Sequence, residues 1–227
     1  MQSKVESLLL SPDFDYLQPY FYNHPYALRC ELGIGRGRRY MANARRRAKE
    51  IYRILFPRGA DAIAFNAWIY DRTDTDEAWK DIGAVGRSPA KEEAYEAKKE
   101  AHRVRFLLEY QRNYRHVSVK NLRTYCAPDD PEYENIRRNR VLCYAGDRGF
   151  DDLKLLRGQI DSEVNSDVSL VSFENECILS VYDDRGCDVV FADPAHFRAF
   201  YPALEPYFLA YDLEEMQNRL RRANQNT

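Results

Sequence analysis

Leu28, Cys30, Leu32 and Ile34 alternate with Arg29, Glu31 and Gly33, and that period of two predicts a half-buried strand. After a short basic stretch the period changes. Tyr40, Ala44, Ala48, Ile51, Tyr52 and Leu55 recur at helical spacing, with Arg38, Arg45, Arg46, Lys49 and Arg53 between them. Pro57 and Gly59 stop this helix. Ala62 to Tyr70 is an almost unbroken apolar run, which reads as a central strand. Residues 71–89 are polar, acidic and Gly-punctuated, and read as a long loop. Ser88-Pro89 then opens a charged segment rich in Ala, Glu and Lys, composition that favours helix. His116 to Lys120 and Arg140 to Ala145 are further strand candidates, with a turn at Ala127 to Pro131 between them.

Later in the chain, Asp151 to Ile160 reads as a helix with Leu153, Leu156 and Ile160 as its apolar stripe. Val168 to Phe173, Cys177 to Tyr182 and Cys187 to Phe191 are three consecutive β-prone runs, a meander. Asp193-Pro194 is an N-cap with proline at the first helical position. The final helical region reaches about Arg222. Pro202 and Pro206 are expected to interrupt it, and Asp212-Leu213-Glu214-Glu215 to restart it as the Asp form of a capping box. Helices alternating with strands early, and an uninterrupted β run late, predict the α+β class. The expected architecture is a mixed or mainly antiparallel sheet with helices packed on it, and a C-terminal β-meander followed by helices. Residues 1–26, aromatic and cut by Pro12, Pro19 and Pro25, read as an arm packed on the body. Residues 27–227 read as a single domain with an inserted loop and helix at 71–113.

The last two strands of the meander flank Tyr182-Asp183-Asp184-Arg185-Gly186-Cys187-Asp188, the signature of a tight polar hairpin. Gly186 is free to take φ > 0, and Asp183 and Asp184 can bond the turn backbone.

Composition narrows the classes. Of 227 residues 44% are hydrophobic and 13% aromatic, which disordered chains rarely match. Lys and Arg number 34 against 36 Asp and Glu, a net charge of −2, so a globally basic nucleic-acid binder is not expected. The five cysteines are odd in number and form no C-x-x-C pair, which argues against a disulfide framework or zinc knuckle and fits a reducing, cytoplasmic setting. The N-terminal apolar run of three leucines is too short for a signal-peptide core. No stretch approaches the roughly 20 apolar residues of a membrane span.

Candidate chemistry is sparse. Gly33-Ile34-Gly35-Arg36-Gly37 stands between strand and helix, where phosphate-binding turns stand, but Arg38 breaks the G-x-G-x-x-G pattern. The run Arg36, Arg38, Arg39, Arg45, Arg46 and Arg47 reads as a solvated helix face, with an acidic protein partner or RNA as alternatives. Tyr110 to His116 would stack bases or pack amphipathically. The four histidines are scattered without ligand spacing, and no cofactor or metal is expected. Asp183, Asp184 and Asp188 around Arg185 read first as a structural turn, and second as an acidic tip that meets a basic partner.

Several segments resemble one family of bacterial proteins classed as a domain of unknown function. Leu28-Arg29-Cys30-Glu31-Leu32-Gly33, preceded by Phe21-Tyr22-Asn23, is similar to its Arg-x-Glu-Leu-Gly strand. Ala48 to Phe56 resembles the helix that follows, and Tyr182 to Asp188 resembles its Tyr-Asp-Asp-Arg-Gly-x-Asp hairpin. Tyr201-Pro202 and Leu209-Ala210-Tyr211-Asp212 resemble its C-terminal pattern. The likeness spans roughly residues 20–215 and departs most between Thr73 and Ala101. It implies a stand-alone soluble bacterial domain, and supplies no activity or catalytic residues.

The resulting expectation is a non-catalytic protein-binding domain, of the kind that serves as an immunity protein neutralising a toxin. Its contacts are expected at Asp183, Asp184, Arg185 and Asp188 on the hairpin and at Arg38, Arg45 and Arg46 on the helix. The alternatives are an enzyme whose acid–base groups meet only in the fold, and a nucleic-acid binder using the Arg-rich helix.

Overall fold

Local rules account for most of the element boundaries. The computed structural model describes residues 2–11, 14, 19–70, 110–122, 136–161 and 168–225. Helix α1 (Lys4–Leu10) starts where the Ser3 hydroxyl accepts from the Glu6 N–H at 3.0 Å. A one-turn helix α2 (Tyr20–Asn23) precedes β1 (Ala27–Glu31). Helix α3 (Arg38–Leu55) follows a corner in which Gly35 and Gly37 take φ of 92° and 57°, values costly for any other residue. Next come β2 (Ala62–Tyr70), β3 (His116–Leu122), β4 (Ile136–Tyr144) and α4 (Asp152–Ile160). The meander is β5 (Ser169–Ser172), β6 (Cys177–Val181) and β7 (Gly186–Phe191). Helices α5 (Pro194–Leu204) and α6 (Leu213–Gln225) close the fold, joined through 3-10 turns at Glu205–Tyr207 and Ala210–Asp212.

The chain divides into two compact units. One comprises Met1–Ala64 with Tyr144–Thr227, the other Phe65–Cys143. In the first unit the strands hydrogen-bond in the order β1-β7-β6-β5-β2, and in the second β2-β4-β3, with β2 passing from one unit into the other. The β1–β7, β7–β6, β6–β5, β5–β2 and β3–β4 ladders are all antiparallel, so the fold is α+β with a late meander followed by helices. The N-terminal arm lies within the first unit. Most of the expected insertion at 71–113 lies outside the described residues.

Three expectations change. Strand β1 is not half-buried: every residue from Ala27 to Cys30 is buried, as are all of β5, β6 and β7. Both faces are covered. Phe21 of α2 bonds Asp188 on one face, while Phe197 of α5 lies edge-on to Phe191, of opposite parity, on the other. The buried face of α4 carries Asp152, Leu155, Leu156, Gln159 and Ile160, whereas Leu153 is 44% exposed. Asp152 rotates that face inward because its carboxylate accepts from the Tyr52 hydroxyl at 2.5 Å and the Ala60 N–H at 2.8 Å. Pro202 does not interrupt α5. It sits in the last turn and costs only the one bond that its nitrogen cannot donate, and the chain leaves the helix only at Glu205.

Candidate docking face and the ion cluster behind it

The hairpin between β6 and β7 is closed by its own side chains. Asp183 accepts from the Arg185 N–H at 2.8 Å and from the Arg185 Nε at 2.7 Å, which folds the tip back on itself. Gly186 is not needed for a positive φ. It is needed for room: a β-carbon there would overlap the Tyr182 hydroxyl and come within 2.8 Å of the Cys30 carbonyl oxygen. Gly33 has the same role under Tyr40, whose ring a β-carbon would overlap.

The tip is tied to the end of β1, where the Leu32 N–H donates to the Arg185 carbonyl at 2.8 Å. The Gly33 N–H also approaches that carbonyl, at 3.4 Å, and the Tyr40 ring packs against Gly33, so the first turn of α3 lies near the tip. The hairpin and the start of the Arg-rich helix therefore share one face. Arg36, Arg38 and Arg39 are exposed and make no ion pair among the described residues. Arg45 and Arg46, further along α3, do not share that freedom. Arg45 binds Asp161 at 2.7 Å and Arg46 binds Glu50 at 2.8 Å. Arg47 donates to the Glu31 carbonyl at 2.7 Å and lies over the Tyr207 ring. Asp161 and Glu50 thus neutralise part of the arginine run.

Asp188 is the main correction. It was expected at the tip, but it is 1% exposed and faces the interior of the first unit. Its cross-strand partner in the β1–β7 register is Arg29. Arg29 Nε and Nη2 donate to the two Asp188 oxygens at 2.9 and 3.2 Å, and the Phe21 N–H adds a third bond at 3.0 Å. Asp212 is the second carboxylate of the cluster, 3.6 Å from Arg29 Nη1, and its Oδ1 takes the Tyr22 hydroxyl at 3.5 Å. It therefore turns toward Arg29 and does not cap α6 as the capping-box reading expected. Aromatic rings surround the guanidinium: those of Tyr22, Phe21 and Tyr182 lie 4.6, 5.1 and 5.7 Å from Arg29 Cζ. Arg219 Cζ stands 4.1 Å from the same Phe21 ring, and its Nη1 donates to the His24 carbonyl at 2.8 Å.

Burial raises the Asp188 carboxyl above its ordinary value, and the Arg29 guanidinium and the Phe21 amide oppose that rise. The three-donor geometry favours the ionised form. Arg29, Asp188 and Asp212, far apart in sequence, thus converge on one buried cluster. The cluster orients the β1–β7 pair and the hairpin that extends from it. Among the described residues no group of three His, Cys, Asp or Glu side chains is arranged to hold a metal ion.

The remaining candidates are dispersed. Tyr110 and Tyr114 stack on each other, with centroids 5.4 Å apart, in the second unit. His24 stacks on Phe14, and His196 packs its Nδ1 against Asp193 at 3.0 Å. Arg140 is buried, while the side chains of Arg137 and Arg138 lie outside the described residues. No helix among the described residues is long and apolar enough to cross a membrane.

No curated protein and no solved structure matches this chain. A family model does match, over residues 8–212, and the chain belongs to that family, described as a domain of unknown function (DUF3885).

Proposed function

We propose that the chain is a non-catalytic protein-binding domain, an immunity-type protein that neutralises a toxin through the face shared by the hairpin tip and the start of α3. One observation carries this reading: Arg36, Arg38 and Arg39 are exposed and unpaired among the described residues, at the start of a helix whose first turn packs near the hairpin of Asp183 and Asp184. Unpaired guanidinium groups near a carboxylate-bearing tip steer a complementary partner and reject others. Asp188 leaves the contact set for the supporting set, because a buried ion pair shapes the face without touching a partner. Arg45 and Arg46 are secondary, since a partner would first displace Asp161 and Glu50. The nucleic-acid reading is less favoured for the same reason, because fewer guanidinium groups remain for phosphates.

The test is co-purification of the tagged full chain from its native host, followed by binding measurements on any protein recovered. A specific partner held at nanomolar to micromolar affinity is expected. The triple variant R36E/R38E/R39E should slow its association, most strongly at low salt. Recovery of no protein partner, or equal association rates for the variant, overturns the reading.

A further inference from the structure

Four cysteines lie among the described residues, and all are buried. Two of them face each other. Cys30 on β1 and Cys187 on β7 are direct register partners, so their side chains leave the same face of the sheet at the same level. Direct partners in an antiparallel ladder have Cα atoms about 4.5–5.5 Å apart, within the roughly 4.4–6.8 Å window of disulfides. The register has little freedom to slip. Arg29↔Asp188 is locked by the buried ion pair on one side, and Glu31↔Gly186 by the close approach of Tyr182 on the other. The other two cysteines have no such neighbour in register: Cys177 pairs with Phe191 and Ser172, and Cys143 with His116.

We propose that Cys30 and Cys187 form a reversible oxidation site, at which a peroxide-class oxidant joins β1 to β7 through a disulfide. One thiol sulfur attacks a peroxide oxygen, becoming a sulfenic acid as the O–O bond breaks and one water leaves. The second thiol then attacks the sulfenic sulfur, the S–S bond forms and a second water departs. Two electrons and two protons pass from the thiols to hydrogen peroxide, which is reduced to two waters. The resolving thiol stands directly opposite across the ladder, so the sulfenic acid is captured before further oxidation. A dithiol reductant reverses the step. The neighbouring Cys30 side chain and burial hold the Cys187 thiol well above its ordinary value, while the Arg47 guanidinium works the other way. Oxidation is therefore slow, and small uncharged oxidants are favoured. The bond would fasten the strand pair behind the hairpin tip whether or not that tip docks a protein.

The experiment treats the full chain with hydrogen peroxide over a time course, quenches with iodoacetamide and maps peptides without reduction. A cross-linked peptide pair containing Cys30 and Cys187 is expected to accumulate and to vanish on dithiothreitol treatment. The thermal midpoint should rise with cross-link yield. C177S should leave the yield unchanged, and C30S should abolish it. Since the map is made on the wild-type chain, the result stands even if C30S folds poorly. Recovery of Cys30 and Cys187 as separately alkylated or over-oxidised peptides, or cross-linked mainly to other cysteines, overturns the proposal.

Discussion

Asp188 accepts three hydrogen bonds at a site with almost no solvent, two from Arg29 and one from the Phe21 amide. Removing one partner of such a pair leaves the other buried and uncompensated, which costs about 3–5 kcal/mol, whereas replacing both with apolar groups is often neutral. Asp188→Ala is therefore expected to lose about that much in urea denaturation, and R29M/D188L/D212L, which also removes the carboxylate that Arg29 would leave behind, to recover most of it. A loss below about 1 kcal/mol in D188A would mean that water reaches the pair. This role was not legible in the sequence. A carboxylate one residue past a polar turn reads as exterior, and only the strand register reveals that Arg29 stands opposite it. Arg29 was likewise hidden, because alternation with Leu28 and Cys30 assigned it to solvent. The packing of α2 and α6 over that face is a tertiary fact with no local signal.

At the level of elements, the start of α5 combines a cap with a tether. The Asp193 carboxylate accepts the Ala195 and His196 N–H groups at 2.9 Å and binds the Lys4 ammonium at 2.6 Å. Burial alone would raise this carboxyl, but Lys4 and the amide and ring of His196 outweigh it and hold it far below 3.8. A depressed carboxyl stabilises the fold fully above its unfolded value. That stability is lost progressively as pH falls below 3.8 toward the folded-state value. In D193N an oxygen remains to cap the helix, and exposed Lys4 makes its half of the tether weak. The variant should thus lose no more than about 1 kcal/mol at neutral pH, and its stability should fall less steeply in acid. Parallel denaturation curves for the two chains from neutral pH to pH 3 would remove Asp193 from this account. The cap itself was readable, since Asp-Pro before an apolar helix has few other meanings. The helical period of α3, the meander and the apolar run of β2 were readable for the same reason: each repeats a short-range rule several times. Pro202 and Leu153 were misread where a local rule met packing, the first in a terminal turn and the second beside the inward pull of Asp152.

For the whole molecule, the N-terminal arm is part of the first unit and not an appendage. Val5 and Leu9 of α1 are buried, the Glu176 carboxylate accepts the Lys4 and Val5 N–H groups, and Tyr144 donates to Glu6 at 2.6 Å. Two buried aliphatic side chains contribute about 3–6 kcal/mol before the entropy of ordering a short helix is subtracted. Deleting residues 2–10 should cost roughly 3 kcal/mol in chemical denaturation. An unchanged midpoint would show that α1 contributes no net stability. The division at Phe65 and Cys143 had no composition shift to announce it.

Strand β1 ends the hydrogen-bonding order of its unit, and its outer side is already engaged. Leu209 donates its N–H to the Arg29 carbonyl at 3.0 Å, and Phe208 bridges to Cys30. A foreign strand arriving there finds no row of open amides to copy, so this border is a poor template for aggregation. The short stretch between the last two helices thus acts as a selvedge, keeping a sheet rich in apolar residues from being extended by its neighbours.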